Sequence, residues 1–505
     1  MSADKSGAPT AGAMTGAPAA DDRAPQASGA AGGAERPTTP GQPDRAATPG
    51  GARTASAARP QAGGVTDSRI AAADSCADMR AGDFLDRTFE RHAARLDARD
   101  RRWTQELVYG MLRHRAWIDA LLSARVRGGL ARLDADLIDL LRLGAYQLLY
   151  MGSVPAYAAI AQTVELAKRR HGIGASRLVN AVLRRLDRER NVDPEGLEPP
   201  MPTDPLDVLA LRFSHPRWMV ARWLGRWGAE ETAALLQMNN TEAPLVVRPF
   251  GIVREQLEAM LESAGVHVGE PPLVRDSILL RAMPALAELG AYRQGLFFVQ
   301  DPGATLVAQY ACVPTGSLVI DLCAAPGGKS LELSRQARLV VACDRSMIRL
   351  DRLVANVARL EAHNIAPMVA DGLSPAVRPS DVVFIDAPCT GTGTFRRHPD
   401  ARWRLKASDL SVLAATQRAL LRAAAPIVRP GGLLIYSTCS LEPEENDAQV
   451  ETFLAEHPDF ALEAPPEHVV PAAVLDAGRL RTLPQRDGVD GAFAARLRRT
   501  DGPAG

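Results

Sequence analysis

The stretch Ser317-Leu-Val-Ile-Asp-Leu-Cys-Ala-Ala-Pro-Gly-Gly-Lys-Ser330 limits what this chain can fold into more than any other. Leu318 to Leu322 is a strand-forming apolar run. It ends in small residues and the Gly327-Gly328 pair, and Leu331-Glu-Leu-Ser then reads as the start of a helix. Strand, tight loop and helix N-terminus, in that order, is where an α/β sheet binds a ligand. Glycines at 327 and 328 let the backbone approach that ligand closely and offer it free N–H groups.

The residues narrow the ligand. A phosphate-binding P-loop needs Gly-x4-Gly-Lys-Ser/Thr; Gly328-Lys329-Ser330 fits, but Cys323 stands where the first glycine belongs. A dinucleotide fingerprint needs Gly-x-Gly-x-x-Gly, which Cys-Ala-Ala-Pro-Gly-Gly does not supply. What remains is a nucleoside cofactor whose ribose hydroxyls are held by a carboxylate ending the next strand. Leu339-Val-Val-Ala-Cys-Asp344 brings that carboxylate, at about the 20-residue spacing of a ribose-binding acid. The pattern leans to S-adenosylmethionine. The bland alternative for Asp344 is a cap on the helix that begins near Ser346 and Met347.

From Pro314 onward, strand-like runs at 318–322, 339–343, 366–369, 381–386 and 432–437 alternate with helical ones, and a final pair falls near 479–483 and 492–498. This predicts an α/β, Rossmann-like domain over 301–500: a mostly parallel sheet covered by helices on both faces. Loops after the C-terminal strand ends then face one crevice. Asp321, Asp344, Asp371 and Asp386 all sit at or just beyond such ends, as suits a cofactor carrying ribose hydroxyls and an adenine amino group.

Two of these loops carry thiols. Val382-Val-Phe-Ile-Asp-Ala-Pro-Cys-Thr-Gly-Thr-Gly393 delivers Asp386 and then Cys389; Gly431-Gly-Leu-Leu-Ile-Tyr-Ser-Thr-Cys439 delivers a second cysteine from the same sheet. Either alone is most often a small buried apolar residue. Both at strand ends of one sheet point to chemistry. Beside S-adenosylmethionine, a thiol serves alkylation of a pyrimidine carbon: a thiolate adding to C6 of cytosine makes an enamine whose C5 attacks a sulfonium methyl. Asp386 is suited to hold the ring N3 and exocyclic amine. Lys329 either lowers a thiol pKa or orients the base. The target nucleotide must be unstacked to be reached.

Upstream, the texture differs. Residues 1–64 contain no Val, Ile, Leu, Phe, Tyr, Trp or Cys, so a disordered Ala/Gly/Pro-rich tail is expected over 1–67, as solvated filler more than as an RNA-binding arm. Residues 68–190 read as all-helical: Leu107, Val108, Met111 and Leu112, then Leu137, Leu140, Leu141, Gly144 and Leu148, fall at helical spacing, and two further helices are expected around 156–170 and 175–186. The end of this region is basic, with Lys168, Arg169, Arg170, Arg177, Arg184, Arg185, Arg188 and Arg190 against Asp187 and Glu189. Such a run is either a solvated face or a phosphate-binding one. Residues 191–205 read as a linker, and 206–300 as a small α+β RNA-binding module built from Leu245-Val-Val-Arg-Pro, a helix near 254–264 and Ser277-Ile-Leu-Leu-Arg281. Trp223 and Trp227, four apart on a helix, read as core. Asp301 reads as an N-cap with Pro302 in the first turn; Gln300 and Asp301 are also within reach of a substrate, though capping alone explains the Asp.

A chain of 505 residues, 46% apolar, is ample for several cores. Its net charge is zero, so any nucleic-acid attraction must be local. Six cysteines without a Cys-x-x-Cys pair predict reduced thiols in a cytoplasm and no metal centre. No apolar run reaches the roughly 18 residues of a membrane helix, and no signal-peptide core is seen. A monomer is expected.

Two resemblances sharpen this. Asp100-Arg-Arg-Trp-Thr-Gln-Glu-Leu-Val-Tyr-Gly-Met-Leu-Arg113, Leu141-Arg-Leu-Gly-Ala-Tyr-Gln-Leu-Leu-Tyr-Met151 and Val179-Asn-Ala-Val-Leu-Arg-Arg185 resemble the antitermination-factor NusB family, whose domains are helical and bind RNA. Asp321-Leu-Cys-Ala-Ala-Pro-Gly-Gly-Lys329, Asp386-Ala-Pro-Cys-Thr-Gly-Thr-Gly393 and Tyr436-Ser-Thr-Cys-Ser-Leu-Glu-Pro-Glu-Glu-Asn446 resemble the Sun family of RNA cytosine-C5 methyltransferases. The resemblance implies a cytosine of 16S ribosomal RNA as substrate, Cys439 as nucleophile and Cys389 as an aid to product release. It also implies a cofactor held by Cys323, Ala324, Ala325, Pro326, Gly327, Gly328, Lys329, Asp344, Asp371 and Asp386. Spacing alone does not say which cysteine attacks. The chain departs from the pattern at Ala304 and Thr305, and at Ala492 and Ala494, where an aromatic is common. A pure RNA adaptor is disfavoured because both thiols, Lys329 and Asp386 are intact; a P-loop ATPase is disfavoured by Cys323.

Overall fold

The computed structural model describes residues 64–193, 197–281 and 283–500. Of the tail expected over 1–67, residues 1–63 lie outside the described ones, while Asp67 already begins the first helix.

The first region is helical throughout: Asp67–Arg80, Leu85–Ala93, Ala98–Arg113, Arg115–Ser123, Ala135–Leu149 and Ala156–Val192. Asp97 and Asp134 begin two of these helices by accepting the N–H groups of Asp100 and Asp136, each at 2.8 Å. Glycines let the helices close on one another: a Cβ on Gly110 would lie 1.9 Å from the Tyr146 hydroxyl, and one on Gly144 would lie 2.6 Å from Leu183. The last run is two helices joined at Gly172, whose φ of 84° is open to glycine, so the expected pair is present. Of the eight basic residues at its end, Arg169, Arg170, Arg185 and Arg190 pair with Glu165, Asp136, Glu189 and Asp187. Lys168, Arg177, Arg184 and Arg188 stand exposed.

Helices Pro205–Arg212 and Arg217–Asn239 follow, the second interrupted at Gly228. Trp223 is fully buried among Val220, Leu236, Phe395 and Leu441, with Trp227 half-buried beside it, so the pair is core as expected. The small module is an antiparallel sheet of β1 (Leu245–Pro249), β2 (His267–Gly269), β3 (Ile278–Arg281) and β4 (Phe297–Val299) in the order β2-β3-β1-β4, backed by helix Arg254–Ser263. Arg248 of β1 reaches out of it to Glu332 at 2.5 Å, both buried, which ties the module to the next domain.

That domain carries β5 (Leu318–Asp321), β6 (Leu339–Asp344), β7 (Ile365–Val369), β8 (Ser380–Asp386), β9 (Val428–Thr438), β10 (Phe460–Leu462), β11 (Leu475–Asp476), β12 (Arg479–Thr482) and β13 (Ala492–Arg499). The order is β11-β12-β13-β9-β8-β5-β6-β7, with β10 on β13. Strands β7, β6, β5, β8 and β9 are parallel, whereas β13 runs against β9, β10 and β12, and β11 against β12. The sheet is therefore mixed, and only half answers to the expected parallel one. Both faces are covered. Val382 and Phe384 of β8 enter one core with Val319, Val340 and Ile435, while Val383 and Ile385 enter another with Ile320, Leu434 and Tyr436. This two-sided burial is why these strands are continuous apolar runs. The chain leaves β5 toward β6 and β7 and returns to β8 on the other side of β5. The crevice at that switch point lies between the Asp321 and Asp386 ends.

Candidate active site at the switch point of the sheet

Asp321 closes β5 and is fully buried, its Oδ2 accepting from Ser330 Oγ at 2.6 Å. Burial raises its carboxyl to about 7, against the pull of the Ser330 hydroxyl. The loop then turns at Gly327, with φ of 105°. A Cβ there would meet Leu353 Cδ1 at 2.1 Å, so both conformation and space demand glycine. Ala324 and Ala325 are buried under the loop, Pro326 is exposed, and helix Gly328–Leu333 starts directly after it. Cys323 is half-buried, and burial together with Asp321, Asp386 and Asp344 pushes its thiol up, so it is a neutral lining residue.

Asp344 closes β6, accepting from Ser346 N at 2.9 Å, and its other oxygen faces Arg349 at 3.4 Å. The cap of helix Met347–Arg359 is Ser346, not Asp344. Exposed Met347 and Ile348 follow directly, and Asp371 lies exposed just past β7. Acid acceptors, apolar side chains open to solvent and a glycine loop together suit a nucleoside: hydroxyls, base face and close backbone approach. Asp386 closes β8, pairs with Lys329 Nζ at 2.6 Å and accepts from Ser437 Oγ at 3.2 Å.

Beyond Asp386, Cys389 Sγ lies 3.3 Å from Cys439 Sγ, at the end of β9. Their surroundings differ. The charges of Lys329 and His398 pull the Cys439 thiol down while Asp386 pushes it up; the charges acting on Cys389, Glu445 and Asp386, both push it up. The Cys389 thiol, as hydrogen-bond donor, holds Cys439 below the ordinary thiol value against burial, and the two cations add to this. Cys389 is pushed well up by the same bond and by burial. When the pair gives up its first proton, these shifts favour the negative charge on Cys439 over Cys389.

Three family models match. One for the 16S rRNA methyltransferases RsmB/F covers residues 313–498, one for the NusB family covers 66–188, and one for a ferredoxin-like domain of RsmF/B-like methyltransferases covers 215–286. Among full-length relatives, a probable ribosomal RNA small subunit methyltransferase B of Synechocystis sp. is 33% identical over 82% of this chain and 94% of its own length. The ribosomal RNA small subunit methyltransferase B of Pseudomonas syringae pv. tomato is 34% identical over 85% and 96%, and that of Vibrio cholerae 34% over 79% and 89%. The chain belongs to the ribosomal RNA small subunit methyltransferase B family. It is thus an rRNA methyltransferase with an RNA substrate. In fold it is similar to the crystal structure of PH0851, 25% identical with a TM-score of 0.73 over 86% of this chain and 99% of that one. A methyltransferase homolog protein from Pyrococcus horikoshii, 24% identical, matches with a TM-score of 0.50 over 58% and 97%.

In this member of the family, a residue given no role from the sequence joins the two thiol-bearing loops. Glu445, fully buried, accepts from Thr390 N at 2.9 Å, Thr390 Oγ1 at 2.5 Å and Gln417 Nε2 at 2.9 Å, and also from Ser440 Oγ. Gly393 N donates to Cys439 O at 3.0 Å, and a Cβ on Gly393 would lie 2.8 Å from that oxygen. Asp301, the N-cap of helix Pro302–Ala311, accepts from Gly303 N and pairs with Arg397 at 2.5 Å. Arg397 also pairs with Asp490 at 2.6 Å, so Asp301 anchors the segment after the Cys389 loop as well as capping. Among the described residues, no helix is long and apolar enough to cross a membrane, and no group of three or more His, Cys, Asp or Glu could hold a metal ion.

Proposed function

We propose that this rRNA methyltransferase methylates C5 of one cytosine of 16S rRNA, through a covalent bond between Cys439 and C6. The observation that carries the reading is the pair of thiols 3.3 Å apart, with the charges of Lys329, paired to Asp386, and of His398 pulling the Cys439 thiol down. S-adenosylmethionine, when bound, supplies an electrophilic methyl group. Gly327 and Gly328 would admit it with their backbone, Asp344 would hold its ribose hydroxyls and Asp371 its adenine amino group, and Met347 and Ile348 would offer apolar surface to the base. Cys323 to Pro326 and Lys329 complete the cradle.

Cytosine C5 is a poor nucleophile, and the Cys439 thiolate changes that by forming a bond to C6. The C5=C6 electron pair then becomes available at C5, while N3 takes up a proton from solvent. Asp386, fixed by its ion pair with Lys329, accepts from N3–H and the exocyclic amine and so stabilises the protonated ring. After C5 has gained its methyl group, solvent takes the C5 proton, that bond's electrons restore C5=C6, the sulfur leaves as a thiolate, and N3 gives its proton back to solvent. Cys389 donates a hydrogen bond to the departing sulfur of Cys439. The nucleotide enters flipped out of its stack. Exposed Lys168, Arg177, Arg184 and Arg188 supply phosphate attraction on the helical region. The working unit is a monomer in the cytoplasm.

Mapping of 5-methylcytosine in 16S rRNA from cells with and without this protein tests the reading. One position should lose its mark and regain it on complementation. Unchanged cytosines, or loss of a different modification, would refute it.

A further inference from the structure

Phe395-Arg-Arg-His-Pro-Asp400, the segment after the Cys389 loop, is where the N-terminal helices meet the catalytic domain. Arg113 donates to Arg396 O at 3.1 Å, and Trp403, just beyond, donates to Leu112 O at 2.8 Å. Within this contact His398 is held from two sides. Its backbone N–H donates to Thr394 O at 3.0 Å, and its Nδ1 lies 3.2 Å from Asp86 Oδ2 on helix Leu85–Ala93. Asp86 is itself fixed, because Tyr109 donates to its other oxygen at 2.7 Å. The turn carrying His398 follows directly on the turn Gly391–Thr394, which meets Cys439. A Cβ on Gly391 would lie 3.5 Å from Thr394 Oγ1 and 3.8 Å from Cys439 Sγ. Nε2 of His398 has no hydrogen bond among the described residues, and both side chains keep over a third of their surface open, at 44% and 40%. Asp86 and Tyr109 line a cavity of ≈ 500 Å³ together with Arg101 and Arg352.

We infer that Asp86 is a positioning residue for the methyl-transfer site: by holding His398 it fixes, from the N-terminal helices, the segment that follows the loop packed against Cys439. The N-terminal helical region thereby contributes to the chemistry as well as to RNA contact. The inference rests on the reading of Cys439 as the nucleophile. The charges around the pair favour it. His398 faces Asp86, Asp400 and Asp490; burial pulls the imidazole down, but the bond and charge of Asp86, with Asp400 and Asp490, carry it above its ordinary value. Asp86 in turn faces His398, Tyr109 and Arg352. Cys439 is held down by the bond from Cys389 and by the charges of Lys329 and His398, against burial and the charge of Asp386. Lys329 is committed to Asp386 at 2.6 Å, so the charge of His398 is the other one that lowers the Cys439 thiol. Loss of Asp86 lowers the imidazole, the positive charge fades near neutral pH, and the Cys439 thiol rises.

The test is the pH dependence of iodoacetamide alkylation at Cys439, read by peptide mass spectrometry on the full chain without RNA. Asp86→Asn and His398→Gln should each slow alkylation at pH 7 by about threefold or more, equal to half a pKa unit, and move the midpoint upward. The double variant should go no further than either single one, and Asp86→Glu should restore the native profile. His398→Gln leaves the Asp86–Tyr109 bond in place, so its profile is readable even if Asp86→Asn loosens the helices. A native profile in both variants, or a shift in His398→Gln alone, overturns the inference. An unmoved profile with normal RNA adduct formation overturns the role of Asp86 only; a shifted profile with no adduct at Cys439 overturns the proposed mechanism only.

Discussion

Cys389 and Cys439 come from the ends of two adjacent parallel strands, β8 and β9, yet their sulfurs meet at 3.3 Å because Glu445 draws both loops onto one buried carboxylate. Thr390 beside one thiol and Ser440 beside the other both end on it. The chemistry assigned to the thiols depends on this spacing more than on either residue alone.

Glu445→Ala should therefore damage stability and activity together. It strands the Thr390 N–H, both hydroxyls and the Gln417 amide in a dry interior, and unsatisfied buried groups cost ~1–3 kcal/mol each. A total loss of at least about 4 kcal/mol is expected in chemical denaturation, with single-turnover methylation lost in whatever fraction stays folded. Glu444→Ala, on a half-exposed neighbour, should cost under about 1 kcal/mol.

Lys329→Met removes a cation from Cys439 and the partner from Asp386. The native thiol sits below its ordinary value, so the acid limb of kcat/KM reports that lowered ionisation. Without Lys329 the thiol rises and the limb must move to higher pH, with at least a tenfold loss at pH 7, about one pKa unit. A limb that stays in position would separate Lys329 from the thiol.

Gly327→Ala asks for a left-handed conformation and a Cβ 2.1 Å from Leu353. The conformation alone costs roughly 1–2 kcal/mol, and relief of the clash must shift the loop or helix Met347–Arg359. Calorimetric titration with S-adenosylmethionine should show binding weakened at least tenfold, while thermal unfolding stays cooperative.

Asp321 gives a pH signature in stability. Its folded value of about 7 stands above the ordinary 3.8, so its contribution is complete below about pH 4 and is lost as pH rises to about 7, by at most about 4 kcal/mol. Asp321→Asn keeps an acceptor for Ser330 and removes the ionisation. Denaturation midpoints should show the variant gaining on the native protein between pH 4 and 7 and holding its lead above that.

The sequence revealed those strands whose two faces are both buried, since Leu318–Asp321, Leu339–Asp344, Ser380–Asp386 and the second half of β9 are unbroken apolar runs. It hid β2, β10 and β11, which have three, three and two residues and little buried surface, too short for any period to show. It also hid the antiparallel half of the sheet. Ala492–Arg499 reads as a strand, but its direction against β9 is set by a pairing partner and not by composition.

The site divides in the same way. Both thiols, Lys329, Asp321 and Asp386 were legible as candidates because they fall in motifs clustered along the chain, and Asp344 and Asp371 because each follows a strand-like run. Glu445 was not, because it sits in Glu442-Pro-Glu-Glu-Asn446 with two other acids, and only burial tells Glu445 from Glu444. Asp86 and His398 meet across the whole length of two domains, and no local pattern joins them.

The covalent step is tested most directly by incubating the protein with 16S rRNA and S-adenosylmethionine, then denaturing before electrophoresis. Cys389→Ala should accumulate an RNA–protein adduct that survives denaturation, while Cys439→Ala should bind S-adenosylmethionine, form no adduct and transfer no methyl group. An active Cys439→Ala together with no adduct in Cys389→Ala would contradict the assigned roles of the two sulfurs.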